Sequence, residues 1–335
     1  HSFRTLIVPL GISFITFQQI AFLVDVYRGE CDNCTLLEYT VFVSFFPHIS
    51  SGPIVTQDQF FPILRSEKRK EIDWDRINRG IFLFIFGLGK KVLLADMFGQ
   101  AVDWGYGNIA SLNGMSMFLI TVFYSFQIYF DFSGYCDMAT GLGYMFNIQI
   151  PMNFNSPYKA LSIIDFWKRW HLTLTRFLRT YVYFPLGGSR RGTVRTYINI
   201  ITVFLVSGLW HGANWTFIVW GLMYFVLLIL EKFFHMDEKM GKFKNLYTMF
   251  FVMMGWVLFR SDSLSAALVY IRSMFGFGCK GFMDAYVIQY FKQYILYFIM
   301  GILCCFPIFK NINRIFKKNM VYNLLYVVCM CGILY

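Results

Sequence analysis

The sequence predicts an all-α, polytopic membrane protein with broken or re-entrant helices and one amphipathic helix lying at the membrane interface. Three observations lead there. The 335 residues are 57% hydrophobic and 21% aromatic, with only 15% charged, and the mean hydropathy of +0.51 is far above that of a water-soluble domain. Apolar runs approaching the roughly 20 residues that cross a bilayer recur along the chain. The net charge of +11 is gathered in short Lys and Arg patches between those runs, the pattern of a cytoplasmic membrane face rather than a nucleic-acid groove. No nucleic-acid partner is expected; the partner implied first is the lipid bilayer.

In chain order the expected spans are 6–24, 81–97, 115–132, 215–230, 246–259, 294–309 and 321–335. Pro9, the pair Gly87 and Gly89, and the pair Gly208 and Gly212 interrupt apolar runs, so broken, tilted or re-entrant helices are expected where other parts of the protein cover the backbone. The charged segment 65–79 reads as the most water-exposed insertion. If 215–230, 246–259 and 294–309 each cross once, loops 231–244 and 310–318 share a side. Their Lys232, Lys239, Lys242, Lys244, Lys310, Arg314, Lys317 and Lys318 place that side in the cytoplasm. With no internal repeat, 1–335 reads as one multi-pass domain. It starts at a His and stops inside an apolar run, so a fragment lacking N- and C-terminal helices is expected.

Winding 165–179 at 3.6 residues per turn puts Asp165, Lys168, Arg169, Leu172, Arg176 and Arg179 within an arc of roughly 100°. The opposite face carries Phe166, Trp167, Trp170, Leu174, Phe177 and Leu178. That is the signature of an interfacial helix, its basic side toward phosphate or water and its aromatic side toward hydrocarbon. His171 falls at the edge of the aromatic face. The chain leaves through Pro185 and "GGSRRG", where Arg190 and Arg191 can meet an anion. Cys31 and Cys34 form a lone C-x-x-C without a second pair or a nearby His; two loop thiols or a local disulfide are expected, and no metal site.

"SGLWHGANW" (207–215) places one histidine, His211, inside an otherwise apolar stretch, where an ionisable group is a functional candidate. Together with "YFDFSGYCDMATGLG" (129–143), "NFNSPYKALSIIDFWKRWHLTLTRFLRTYVYFPLGGSRRG" (153–192), "PLGISFITFQQIAFLVDVYRG" (9–29) and "FPHISSGPI" (46–54), this stretch resembles the membrane-bound O-acyltransferase family. The likeness is to its bacterial branch, which includes the alginate O-acetylation membrane protein. The resemblance implies transfer of an acyl group from a thioester to a hydroxyl in a tunnel through the bilayer. His211 of W-H-G would be the central residue and His171 of F-W-x-x-W-H the second histidine. It also implies acetyl-CoA or an acyl carrier protein as donor substrate, with no tightly bound cofactor. The expected acceptor is a cell-envelope or secreted polysaccharide, reached directly or through an extracytoplasmic hydrolase-like partner protein at a bacterial cytoplasmic membrane.

The residue types suit that chemistry. A hydroxyl attacking a thioester must lose its proton, and neutral imidazole is the side chain best poised to take it near pH 7. His211 is the expected base, with His171 orienting the hydroxyl or acting as acid on the same cavity. Trp210 and Trp215 would wall the site and Gly212 would let substrate approach the backbone. Ser207, Asn214, Asp165, Arg190 and Arg191 are candidate substrate contacts, while Asp131 and Asp137 read equally as polar packing groups paired to Arg or to backbone amides. A transporter or flippase would show an inverted repeat or ionisable groups spread over several spans, whereas a scaffold subunit of an export and modification complex would need neither histidine.

Overall fold

The computed structural model describes residues 11–306 apart from 32, 236–238, 279 and 280. Its helices are α1 (Ile12–Tyr27), α2 (Leu36–Ser44), α3 (Gln57–Arg65), α4 (Trp74–Gly89), α5 (Asp96–Gly107), α6 (Gly114–Met145), α7 (Ile163–Trp167), α8 (Leu172–Leu178), α9 (Thr193–His211), α10 (Trp215–Phe234), α11 (Lys244–Arg260), α12 (Leu264–Met274) and α13 (Ala285–Cys305). No strand occurs among the described residues.

The 32-residue α6 is the central post, packed by α4, α5, α11, α12 and α13. Its apolar residues are spread round the helix rather than gathered on one stripe, which suits a helix packed by neighbours on several sides. Its contact with α4 is backbone to backbone. A Cβ on Gly87 would lie 2.5 Å from the Gly134 carbonyl oxygen, and one on Gly134 would lie 2.7 Å from that of Gly87. The α9–α10 pair meets the same way, since a Cβ on Gly208 would lie 2.5 Å from the Phe217 carbonyl oxygen. Small residues at a crossing let helices close without a hydrophobic drive between them. The glycines expected to break helices therefore do something else: Gly87, Gly89 and Gly208 sit in continuous helix, and Gly212 alone ends one. Irregular helix falls at π-helical stretches, one at Arg179–Tyr183 after α8 and one at Lys90–Ala95, which joins α4 to α5. There, adjacent lysines both reach α6, Lys90 Nζ lying 2.6 Å from Asp137 and Lys91 Nζ 2.7 Å from Asp131. Both aspartates are thus paired, to lysines rather than to Arg or backbone amides.

Among the described residues α6, α9, α10 and α13 are long and apolar enough to cross a membrane, and the protein is a multi-pass membrane protein. The sequence reading passed over α9, which is a continuous helix through Gly208 and long and apolar enough to cross. The expected span 321–335 and the loop 310–318 lie outside the described residues.

Contacts between helix ends establish two faces. At one, Asn245 donates to the carbonyls of Tyr158 and Ala160, and the α7 amides reach Glu231 on α10. At the other, Asn113 meets Asp284, Arg260 meets Asp103 and Asn214 meets the Asp262 carbonyl. The first face carries Lys232, Lys242, Lys244, Lys159 and Lys168, which makes it the positive side.

Candidate active site

The run 165–179 does not fold as the single helix its periodicity suggests. Ser162 Oγ caps the amide of Asp165 at 2.9 Å and the Glu231 carboxylate takes the amides of Ile163 and Ile164, which starts α7. Five residues later the chain turns, and His171 adopts a left-handed backbone with φ 47° and ψ 54°. A non-glycine residue there costs about 1–2 kcal/mol, and the segment 153–155 holds it in place. The Leu172 amide donates to the Asn153 carbonyl at 2.9 Å, and the Asn155 amide donates to the Arg169 carbonyl at 2.9 Å. The amphipathic pattern survives the break, but its apolar side meets protein instead of hydrocarbon. Phe166 and Trp170 enter the main core, and Leu174, Phe177 and Leu178 pack against Phe17 and Ile54, while Lys168, Arg176 and Arg179 stay exposed.

His171 is 2% exposed. Its Nδ1 lies 3.1 Å from Asn153 Oδ1, its Nε2 is buried without a hydrogen-bond partner among the described residues, and Phe132 stands edge-on at 4.7 Å. His211 is the last residue of α9. Rings surround it, with Trp210 at 4.7 Å, Phe259 at 5.0 Å and Trp220 at 5.4 Å.

Both histidines line one cavity of about 370 Å³, together with Trp210 between them, Trp170, Trp220, Trp256 and Phe132. That is the size and apolar character of a small-molecule site with a few converging polar groups. Besides the imidazoles and the indole N–H groups of its tryptophans, the lining has Ser51, Tyr135 and the Lys91–Asp131 pair. A second cavity, about 530 Å³, opens toward the positive face and is lined by Arg79, Lys90, Cys136, Asp137 and Asn153. Asn153 thus stands between the two spaces, lining the second and bonded to the histidine of the first. Among the described residues no three His, Cys, Asp or Glu side chains converge as metal ligands.

The other sequence candidates lie elsewhere. Trp215 is 72% exposed at the start of α10; Trp220, five residues on, is the ring that reaches the site. Gly212 makes room for the Phe217 ring, since a Cβ there would lie 2.5 Å from it, so it offers no approach to substrate. Asn214 caps α10 through the Thr216 amide and donates to the Asp262 carbonyl. Asp165 accepts from the Leu161 amide and pairs with Arg169 at 2.8 Å. Ser207 is buried on α9, and Arg190 and Arg191 are exposed in the loop before it; none of these three lines either cavity. Cys34 is a free thiol. Sequence reasoning missed Asn153, Phe132, Trp256 and Lys91. Asn153 stood in a quoted motif, but the 18 residues from it to His171 form no continuous helix, so no periodicity along the chain joins the two.

Comparison with known proteins agrees with the motifs. The sequence model described as MBOAT, membrane-bound O-acyltransferase family, matches residues 24–271. A peptidoglycan O-acetyltransferase of Helicobacter pylori is 41% identical over 302 residues, covering 81% of this chain and 57% of its own length. A probable alginate O-acetylase AlgI of Azotobacter vinelandii is 39% identical over 277 residues, covering 82% of this chain and 55% of its own. A teichoic acid D-alanyltransferase of Bacillus subtilis is 30% identical over 253 residues, covering 72% and 63%. The chain spans little more than half the length of the first two relatives. With the family match extending over most of its length, and with the W-H-G and F-W-x-x-W-H histidines on one cavity, the chain belongs to the membrane-bound O-acyltransferase family.

Proposed function

We propose that the protein is an O-acyltransferase that moves a short acyl group, acetyl in the first instance, from a thioester to a hydroxyl of a cell-envelope or secreted polysaccharide. The single observation that carries this reading is that His171, in the turn before α8, and His211, at the end of α9 and 40 positions away, line one cavity walled by Trp and Phe. The hydroxyl proton passes to an imidazole as the oxygen bonds to the thioester carbon. The carbon–sulfur bond then breaks and the departing thiolate takes up the proton. A positioned base contributes about 10²- to 10⁴-fold to such a step.

The cavity with Arg79 and Lys90 at the positive face supports a donor arriving from the cytoplasm, as acetyl-CoA or on an acyl carrier protein, both anionic. The relatives named for peptidoglycan, alginate and teichoic acid support a polymer acceptor. It would be acylated directly or through an extracytoplasmic hydrolase-like partner, at a bacterial cytoplasmic membrane.

The test is single-turnover transfer from a labelled acetyl thioester by purified protein, wild type against His211→Ala. Turnover should fall by about 10²- to 10⁴-fold while membrane insertion and melting temperature stay near wild type. Retained turnover would take His211 out of the mechanism and leave a scaffold role.

A further inference from the structure

We infer that Asn153 is a positioning residue. It fixes His171 as the Nδ1–H tautomer, so that Nε2 is the atom that receives the acceptor's hydroxyl proton. The inference rests on the function proposed above for its chemical meaning, but the tautomer can be tested without it.

The orientation of the Asn153 amide is settled by its neighbours. Its Oδ1 lies 3.1 Å from the backbone nitrogen of Thr173, an obligatory donor, so an amide nitrogen in that position would set donor against donor. The Thr173 hydroxyl closes the arrangement. Its Oγ1 accepts from the Ile54 amide at 3.0 Å and donates to the same Asn153 Oδ1 at 2.9 Å. With Oδ1 an acceptor, the group 3.1 Å away on His171, Nδ1, must carry the proton. A neutral imidazole has one N–H, so the lone pair is left on Nε2.

That nitrogen is buried and lacks a hydrogen-bond partner among the described residues, on a side chain lining the cavity. Its orientation away from Asn153, which lines the other cavity, follows from the geometry of the ring. An unpaired buried acceptor is costly unless something donates to it, and a substrate hydroxyl is the donor the chemistry supplies. Turning the His171 ring to offer Nδ1 instead would break its contact with Asn153 Oδ1 and move it against Phe132, which stands edge-on at 4.7 Å.

The orienting partner is a neutral amide, not a carboxylate. It selects the tautomer without strongly stabilising the imidazolium, so the proton taken from the hydroxyl is readily passed on to the departing thiolate. The step balances: the hydroxyl proton goes to Nε2, the oxygen–carbon bond forms, the carbon–sulfur bond breaks and Nε2 returns the proton to sulfur. His211 is then left to hold the thioester oxygen or the hydroxyl, the reverse of the division expected from the motifs alone. The other titratable groups on the cavity are Lys91, Asp131 and Tyr135, and Cys136 lies behind Asn153, its Sγ 3.3 Å from Asn153 Nδ2.

The experiment has two readouts. Nitrogen NMR of protein labelled with 15N-histidine, with His171 assigned by loss of its signals in His171→Gln, should show protonated Nδ1 and unprotonated Nε2 in the wild type. Asn153→Leu should lose that fixed tautomer and lower kcat within the about 10²- to 10⁴-fold owed to a positioned base, with KM for the thioester unchanged. Asn153→Asp keeps the acceptor but adds charge; it should retain the tautomer and move the acidic limb of the pH profile upward. If Asn153→Leu does not fold, the wild-type spectrum and Asn153→Asp still decide. An Nε2–H imidazole in the wild type overturns the inference whatever the activity, and so does an unchanged kcat and pH profile in both variants. A wild-type protein with the expected tautomer but no acyl transfer would instead count against the proposed function.

Discussion

Glu231 should be the residue whose loss loosens the site from a distance. Its side chain is fully buried near the end of α10 and accepts from the amides of Ile163 at 2.8 Å and Ile164 at 3.0 Å. Those are orphan donors of the first turn of α7, the element that leads into His171. A hydrogen bond to a charged group contributes about 1.5–3 kcal/mol, and a buried amide left unpaired costs about 1–3 kcal/mol. Glu231→Ala should therefore cost on the order of 2–6 kcal/mol, less whatever water entry recovers. Since 1 kcal/mol moves the midpoint of a 150–250-residue domain by about 2–4 °C and a longer chain by less, the melting temperature should fall on the order of 5–15 °C. Glu231→Gln keeps one acceptor but turns an NH2 toward the second amide, so it should fall between. The assay is thermal unfolding of the purified protein in detergent, followed by acyl transfer below the transition. An alanine variant that melts with the wild type would show that the two amides are satisfied without Glu231.

Two further outcomes follow from the exposed parts of the fold. Cysteines at Lys168 or Arg176 should react with a membrane-impermeant thiol reagent once native thiols are masked, while cysteines at Trp170 or Leu174 should not; equal labelling of all four would contradict the burial of the apolar side of 166–178. Hydrogen bonds from Arg65 and from the Thr35 amide hold the Glu38 carboxyl down from the usual 4.5 to about 2. The bridge between α2 and α3 is therefore fully present above the usual value and is lost only as pH falls through about 2. A carbon-detected titration should find Glu38 still ionised at a pH one unit below its usual value, and should find Arg65→Gln returning the midpoint toward normal.

What the sequence discloses and what it hides have physical causes. A bilayer protein is legible because the solvent acts on composition, and His211 is legible because an ionisable group inside an apolar run has few structural uses. Gly87 and Gly208 misled because a glycine that lets two helices touch and one that ends a helix look alike along a single chain. The helix break before α8 is hidden because its cause is Asn153, which takes the amide of Leu172 on its carbonyl and that of Thr173 on its side chain; the periodicity of 165–179 contains no trace of that competitor. Trp215 and Trp220 differ by where α10 begins. The first is left outside at the helix start, and the second is carried inward to meet His211.

The two histidines should behave as one device. Trp210 lies against both, with ring centroids 6.2 Å from His171 and 4.7 Å from His211, and both imidazoles border the same 370 Å³. Reacting atoms must come within about 3–3.5 Å, so a hydroxyl and a thioester in that space can engage both side chains only in one arrangement. Removing either imidazole breaks that arrangement and should lower single-turnover transfer by about 10²- to 10⁴-fold. Once it is broken, the second residue has little left to contribute, because groups acting as a unit give strongly non-additive losses. His171→Ala with His211→Ala should then lose about as much as the worse single variant. The measurement is a double-mutant cycle on the transfer rate, with melting temperatures recorded for all four proteins. Losses that multiply would mean that each histidine serves its own step, and the single reacting centre would have to be given up.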